Sequence, residues 1–111
     1  MKPSLDPLIH APARLSLMAL LAAGGEAEFA YVRDSIGVSD SVLSKHASVL
    51  EAAGYLKIRK GYVGKRPRTW FQLSPAGRNA FAAHAKALHN IVASAIDPQP
   101  SADEPPASRR P

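Results

Sequence analysis

The stretch Lys57-Ile-Arg-Lys-Gly-Tyr-Val-Gly-Lys-Arg-Pro-Arg68 holds six Lys or Arg, two Gly and no acid. A charge cluster alone is most often a solvated surface; the flanking segments give this one a shape. Tyr55 to Lys60 alternates in the manner of a strand, and Thr69 to Leu73 is rich in β-formers. Gly61 to Arg68 is therefore expected to be the tip of an antiparallel β-hairpin. Gly61 and Gly64 supply permissive dihedrals there, and Pro67, which cannot donate to a strand ladder, belongs at the tip or on an edge.

Immediately upstream, Ser39 is a natural N-cap and Asp40 suits the first turn of a helix running to Ala53, closed by Gly54. Projected at about 100° per residue, Leu43, Ala47 and Leu50 fall on one side and Ser41, Ser44, Lys45 and Ser48 roughly opposite. The outward face is short hydroxyls and one cation, small enough to enter a major groove and able to bond phosphates and base edges. His46 lies on the flank, placed either to bond a phosphate or to cap a core contact. Phe29, Val32 and Ile36 mark a preceding helix that stops at Gly37, and Pro12 opens a first helix to about Ala23 with Leu17, Met18, Leu20 and Leu21 on its apolar face. Glu26 to Glu28 is a short link with the capacity to pair as a minor strand.

Ser74-Pro75 repeats the cap-plus-proline start signal and opens an alanine-rich helix to about Ala95. On it Phe81, His84, Leu88, Ile91 and Ala95 recur at spacings of three and four, with Val92 and Ile96 widening the stripe, the seam of a helix that packs on another helix. A domain this small has little core left to cover such a face, so a symmetric partner is the economical solution. The competing arrangement folds this helix over the first one within a single chain. His84 reads as a partly exposed packing histidine, with a pH switch as its sharper alternative. Residues 1–96 are expected to form one domain and 97–111, with five prolines, a flexible tail.

Composition narrows the function. The formal charge of +5 over 111 residues understates the domain, since removing 97–111 leaves 12 basic and 6 acidic side chains, a net of +6. Such an excess favours polyanions or anionic membrane surfaces. The absence of cysteine excludes disulfides and thiolate metal sites and fits a cytoplasmic protein. Leu15 to Ala23 imitates the core of a secretory signal, but Asp6 stands where a positive region is wanted and the run is too short to span a bilayer. Enzyme readings lack a glycine-rich phosphate loop, a helix-borne His-Glu zinc motif and a nucleophile with a base; His84 and His89 sit about 140° apart on their helix, so one metal is not expected to join them. No cofactor is implied.

The order helix, helix, helix, strand, basic hairpin, strand, helix, from about Leu5 to Leu88, resembles the winged-helix transcription regulators of the MarR and ArsR group, and most of all their small stand-alone winged helix DNA-binding domains. The residues that carry the likeness are Val38-Ser-Asp-Ser-Val-Leu-Ser-Lys-His46, Leu50-Glu-Ala-Ala-Gly-Tyr-Leu56, Lys60-Gly-Tyr-Val-Gly-Lys-Arg-Pro-Arg-Thr69 and Leu73-Ser-Pro-Ala-Gly-Arg78. Ala47 departs from the Leu common in relatives.

The resemblance implies a mainly α fold with a small antiparallel β-hairpin, a winged helix-turn-helix with a long C-terminal dimerisation helix through Phe81, His84, Leu88, Ile91, Val92 and Ala95. It implies a homodimer on double-stranded DNA and says nothing of an effector ligand. Ser39, Ser41, Ser44, Lys45 and His46 match the recognition-helix positions, joined by Ser48 from the outward face; Lys65, Arg66 and Arg68 match the wing. Lys57, Arg59 and Lys60 suit phosphates, and wing arginines suit a narrowed minor groove. Two functions follow: a sequence-specific regulator, in the first instance a repressor acting by occupancy, or a winged-helix module for protein–protein interaction. A protein-binding wing has no need of six cations without an acid.

Overall fold

The computed structural model describes residues 5–96. Five helices and three strands follow one another as α1 (Pro7–His10), α2 (Pro12–Gly24), β1 (Ala27–Glu28), α3 (Phe29–Ile36), α4 (Asp40–Ala52), β2 (Leu56–Val63), β3 (Arg66–Leu73) and α5 (Pro75–Ile96). The expected tail at 97–111 lies outside the described residues.

The helices begin where local chemistry starts them. Pro12 occupies the first turn of α2, where its missing N–H costs nothing. The Ser39 hydroxyl accepts from the Val42 N–H at 3.2 Å to cap α4. α1 is the element that periodicity does not reveal, because four residues are too few to show a period. It forms around Asp6, whose Oδ1 accepts from the Leu8 N–H at 2.9 Å, with Pro7 behind it.

Leu17, Met18 and Leu21 of α2, Val32 of α3 and Leu43, Ala47 and Leu50 of α4 close on Leu56, Phe71 and Leu73 of the sheet, with Ile9 of α1 filling one end. Phe71 and the aliphatic residues of this cluster contribute roughly 1.5–3 kcal/mol each by leaving water.

The sheet has the order β1-β3-β2, antiparallel throughout. The link at Ala27 and Glu28 does pair, against Phe71 and Trp70. The hairpin differs from its expectation. Instead of a tip from Gly61 to Arg68, the ladder runs on through Gly61↔Arg68 and Tyr62↔Pro67 to Val63↔Arg66, leaving a turn of only Gly64 and Lys65. Gly64 has φ 62° and, among the described residues, no non-glycine residue has positive φ, the pattern of a type II′ turn, which matches strand twist. Pro67 survives inside β3 because β1 stops short of it: counting from the closing pair, its ring nitrogen faces the edge that β1 leaves uncovered.

The start of α5 is locked onto the end of α4. Ser74 donates its backbone N–H to the Tyr55 carbonyl at 3.0 Å and its hydroxyl to the Gly54 carbonyl, while accepting from the Gly77 N–H at 2.9 Å. Gly77 passes so close to Tyr55 that a Cβ there would lie 2.0 Å from the Tyr55 oxygen. α5 spans 22 residues. Its first half packs on the chain's own core through Ala80 and Phe81. Its end is uncovered: Ile91, Val92 and Ile96 are 37%, 45% and 78% exposed.

Candidate nucleic-acid interface

α3 and α4 are joined by a tight turn at Gly37–Ser39, and an ion pair steadies their angle. Arg33 on α3 reaches Asp40 at the start of α4 and its neighbour Asp34, each at 2.9 Å. Both contacts hold the guanidinium charge more firmly than usual, Asp34 first. They are surface contacts, screened by solvent, so their use is geometric more than energetic. Sequence periodicity passed over Arg33, because its partner is seven residues away and across a turn.

α4 then divides as its apolar spacing requires. Leu43, Ala47 and Leu50 are buried, and Ser41, Ser44, Lys45 and Ser48 are exposed in a row, with Ser39 exposed at the cap. Ser44, Ala47 and Ser48 face the sheet across a groove of about 240 Å³ whose floor is Phe29, Ile58 and Phe71 and whose far wall is Lys60 and Thr69. Phe29 and Thr69 are groove residues that the sequence marked only as parts of a helix and a strand, because their side chains carry no charge.

His46 turns inward. Its Nδ1 lies 3.1 Å from the Arg14 guanidinium of α2, an acceptor for a permanent donor. Burial, then Arg14, then Lys45 push its pKa down, so the ring stays neutral and fastens α4 to α2. Arg14 also donates from Nε to the Leu8 carbonyl of α1.

The wing cations fall into two groups. Lys57, Lys60, Lys65 and Arg66 are exposed. Arg59 is engaged: its Nε and Nη2 hold both oxygens of Glu26 at 3.0 and 2.9 Å, and its guanidinium lies 4.0 Å from the Trp70 ring centroid. The pairing pulls the Glu26 carboxyl below its ordinary range. Arg68 leans toward Glu28, with Nε 3.5 Å from Oε2 and no hydrogen-bond partner for that buried nitrogen. Twelve consecutive residues without an acid thus meet two acids, Glu28 of β1 and Glu26 just before it.

The stripe on α5 is divided as well. Phe81 packs against the core, and His84, expected to be partly exposed, is 1% exposed. Its Nδ1 accepts from the Asp6 N–H at 3.1 Å, and its Nε2 lies 3.3 Å from Nδ1 of His10. Both histidine contacts are made within one chain, so α1 and not a second molecule covers this part of the seam. Leu88 is half-buried, and Ile91, Val92 and Ala95 remain exposed.

A three-helix core, a helix with a small polar outward face and a two-stranded basic wing are the parts of a winged helix. Residues 13–92 match the family described as winged helix DNA-binding domain. The chain belongs to that family. This winged-helix protein is 27% identical over 74 residues to the uncharacterized protein MJ0432 of Methanocaldococcus jannaschii, covering 67% of this chain and 80% of that one. Its fold superposes on a transcriptional regulator homologue from Pyrococcus horikoshii OT3 with a TM-score of 0.74, at 24% identity, over 81% of this chain and 88% of the other. A MarR-family regulator from Enterococcus faecalis V583 gives 0.71 at 22% identity, over 80% of each chain. The family is one of DNA-binding domains, and the fold is shared with the two proteins just named. Among the described residues no helix is long and apolar enough to cross a membrane.

Proposed function

We propose that the protein is a sequence-specific transcription regulator that binds double-stranded DNA as a homodimer and represses by occupying its site. The observation that carries the reading is the groove that Ser44 and Ser48 of α4 share with Lys60 and Thr69 of the wing. A helix inserted in a major groove through Ser41, Ser44, Lys45 and Ser48 brings Lys60, Lys65 and Arg66 to the adjoining backbone and minor groove. Lys57 serves a phosphate, while Arg59 and Arg68 hold the wing to β1 and add to the local field.

The exposed end of α5 supports the dimer. Ile91, Val92 and Ile96 form an uncovered apolar strip beyond the half-buried Phe81 and Leu88 of the same helix, and two-fold assemblies match two-fold DNA sites.

Retention on immobilised random-sequence DNA at low salt, followed by genome-wide mapping of bound sites, tests the reading. If a dimer neutralises about eight phosphates, affinity falls by orders of magnitude between about 50 and 200 mM salt. A protein that flows through at low salt is instead a protein-interaction module.

A further inference from the structure

The two faces of the wing carry different chemistry. Lys60 pairs with Thr69 and Tyr62 with Pro67, and directly opposed residues project from the same face of a sheet. Lys60 and Thr69 line the groove beside Ser44 and Ser48. The same two residues, with Gly61, Tyr62, Pro67 and Arg68, line the hollow nearer the tip. One strip therefore runs from the recognition helix to the end of the hairpin. Arg59 and Arg68 alternate onto the opposite face with Trp70, where Glu26 and Glu28 hold them. On the face of Lys60, the last β2 side chain before the turn is the aromatic ring of Tyr62.

Tyr62 is 73% exposed. A ring so placed contributes little to the fold, since the hydrophobic gain scales with area removed from water. It is rigid, amphipathic and bracketed by Lys60 and Lys65, which are free to hold phosphates on either side of it.

We propose that Tyr62 is the minor-groove reading residue of the wing. Its ring lies against the deoxyribose wall of an A·T-rich minor groove, and the guanine N2 amino group, which stands up from the floor of a G·C groove, excludes it. The inference rests on the DNA-binding reading above and adds to it a base preference and the side chain that imposes it.

The test is displacement of the protein from a fluorescein-labelled random-sequence duplex by poly(dA-dT), poly(dI-dC) and poly(dG-dC). Inosine lacks the N2 amino group but keeps the guanine pattern in the major groove, so it isolates minor-groove reading from contacts of α4. The wild-type protein should be displaced by poly(dA-dT) and poly(dI-dC) at roughly tenfold lower concentration than by poly(dG-dC). Tyr62→Ala should lose that preference with its melting temperature and salt slope unchanged, and Tyr62→Phe should retain it. Equal displacement by all three polymers, or a preference that survives Tyr62→Ala, overturns the assignment. Failure of the wild-type protein to bind the labelled duplex overturns the DNA-binding reading itself.

Discussion

The backbone N–H of Asp6 donates to Nδ1 of His84 across 3.1 Å, joining residues 78 positions apart. A backbone amide can only donate, so Nδ1 carries no proton and the neutral ring is protonated on Nε2, which faces Nδ1 of His10 at 3.3 Å. Asp6 is also the N-cap of α1 and accepts from the Tyr55 hydroxyl at 3.1 Å. One neutral imidazole thus seats α1 on α5.

Acid should loosen that seat. Burial first, then His10, push the His84 pKa below its ordinary 6.5, against a smaller opposing pull from Asp6. The unfolded chain therefore takes the proton first as pH falls. The contribution is complete above about pH 6.5 and is lost progressively below it, down to the depressed native value. His46 acts with the same sign. Urea midpoints measured from pH 8 to pH 5 should fall below about 6.5, and the fall should be shallower in His84→Gln. An identical pH profile in the variant would rule out His84 as its source.

Gly77 should tolerate no side chain. A Cβ at this position meets the Tyr55 carbonyl oxygen at 2.0 Å and its carbon at 2.9 Å, backbone atoms that cannot swing aside. Gly77→Ala should cost about 3 kcal/mol or more, in spite of the better helix propensity of alanine. Gly24→Ala, with open space around the new methyl, is the control. Thermal or urea denaturation of the pair checks the difference.

Glu26 restrains the wing's charge. Freed from its bidentate partner, Arg59 becomes available to a phosphate, so Glu26→Gln should raise DNA affinity at low salt and steepen the dependence of log K on log salt by nearly one per protomer. The melting temperature should scarcely change, because the pair is exposed. Anisotropy titrations over a salt series would show it; an unchanged slope means that Arg59 does not reach DNA even when released.

The outward face of α4 should separate positioning from reading. Lys45→Ala should weaken binding to all sequences alike and lower the salt slope. Ser44→Ala should leave the slope unchanged and relax base preference at one position by about 1–3 kcal/mol. Binding-site selection from a random duplex pool with each variant distinguishes the two effects.

Along α5, Phe81 and Val92 should behave differently although both belong to one stripe. Phe81 packs on the chain's own core, so Phe81→Ala should destabilise the fold by about 2 kcal/mol or more. Val92 is 45% exposed; Val92→Glu should leave the protomer folded and shift sedimentation from dimer to monomer. A dimer that persists in Val92→Glu places the two-fold contact elsewhere.

How far the sequence could be read depended on the distance over which each signal acts. Ser39, Pro12, Ser74 and the 3.6-residue spacing of Leu43, Ala47 and Leu50 are local, and they located α2 to α5 to within a residue or two. The hairpin was legible as a hairpin, but its length was not. Gly61, Gly64 and Pro67 each permit a turn, and only the pairing of Tyr62 with Pro67 and the short reach of β1 decided that Gly64 takes it.

Charge and apolar pattern alone therefore determined the order of helices and strands, the polar outward face of α4 and the cationic hairpin, since capping, periodicity and net charge are properties of neighbouring residues. Which groups are free to act was settled by residues distant in sequence. Glu26 and Glu28 arrive with β1 to hold Arg59 and Arg68, Arg14 arrives through α2 to hold His46, and Asp6 and His10 arrive through α1 to bury His84. A side chain's partner is chosen by proximity in space, and its charge, tautomer and exposure follow from that partner, so these assignments had to wait for the tertiary structure.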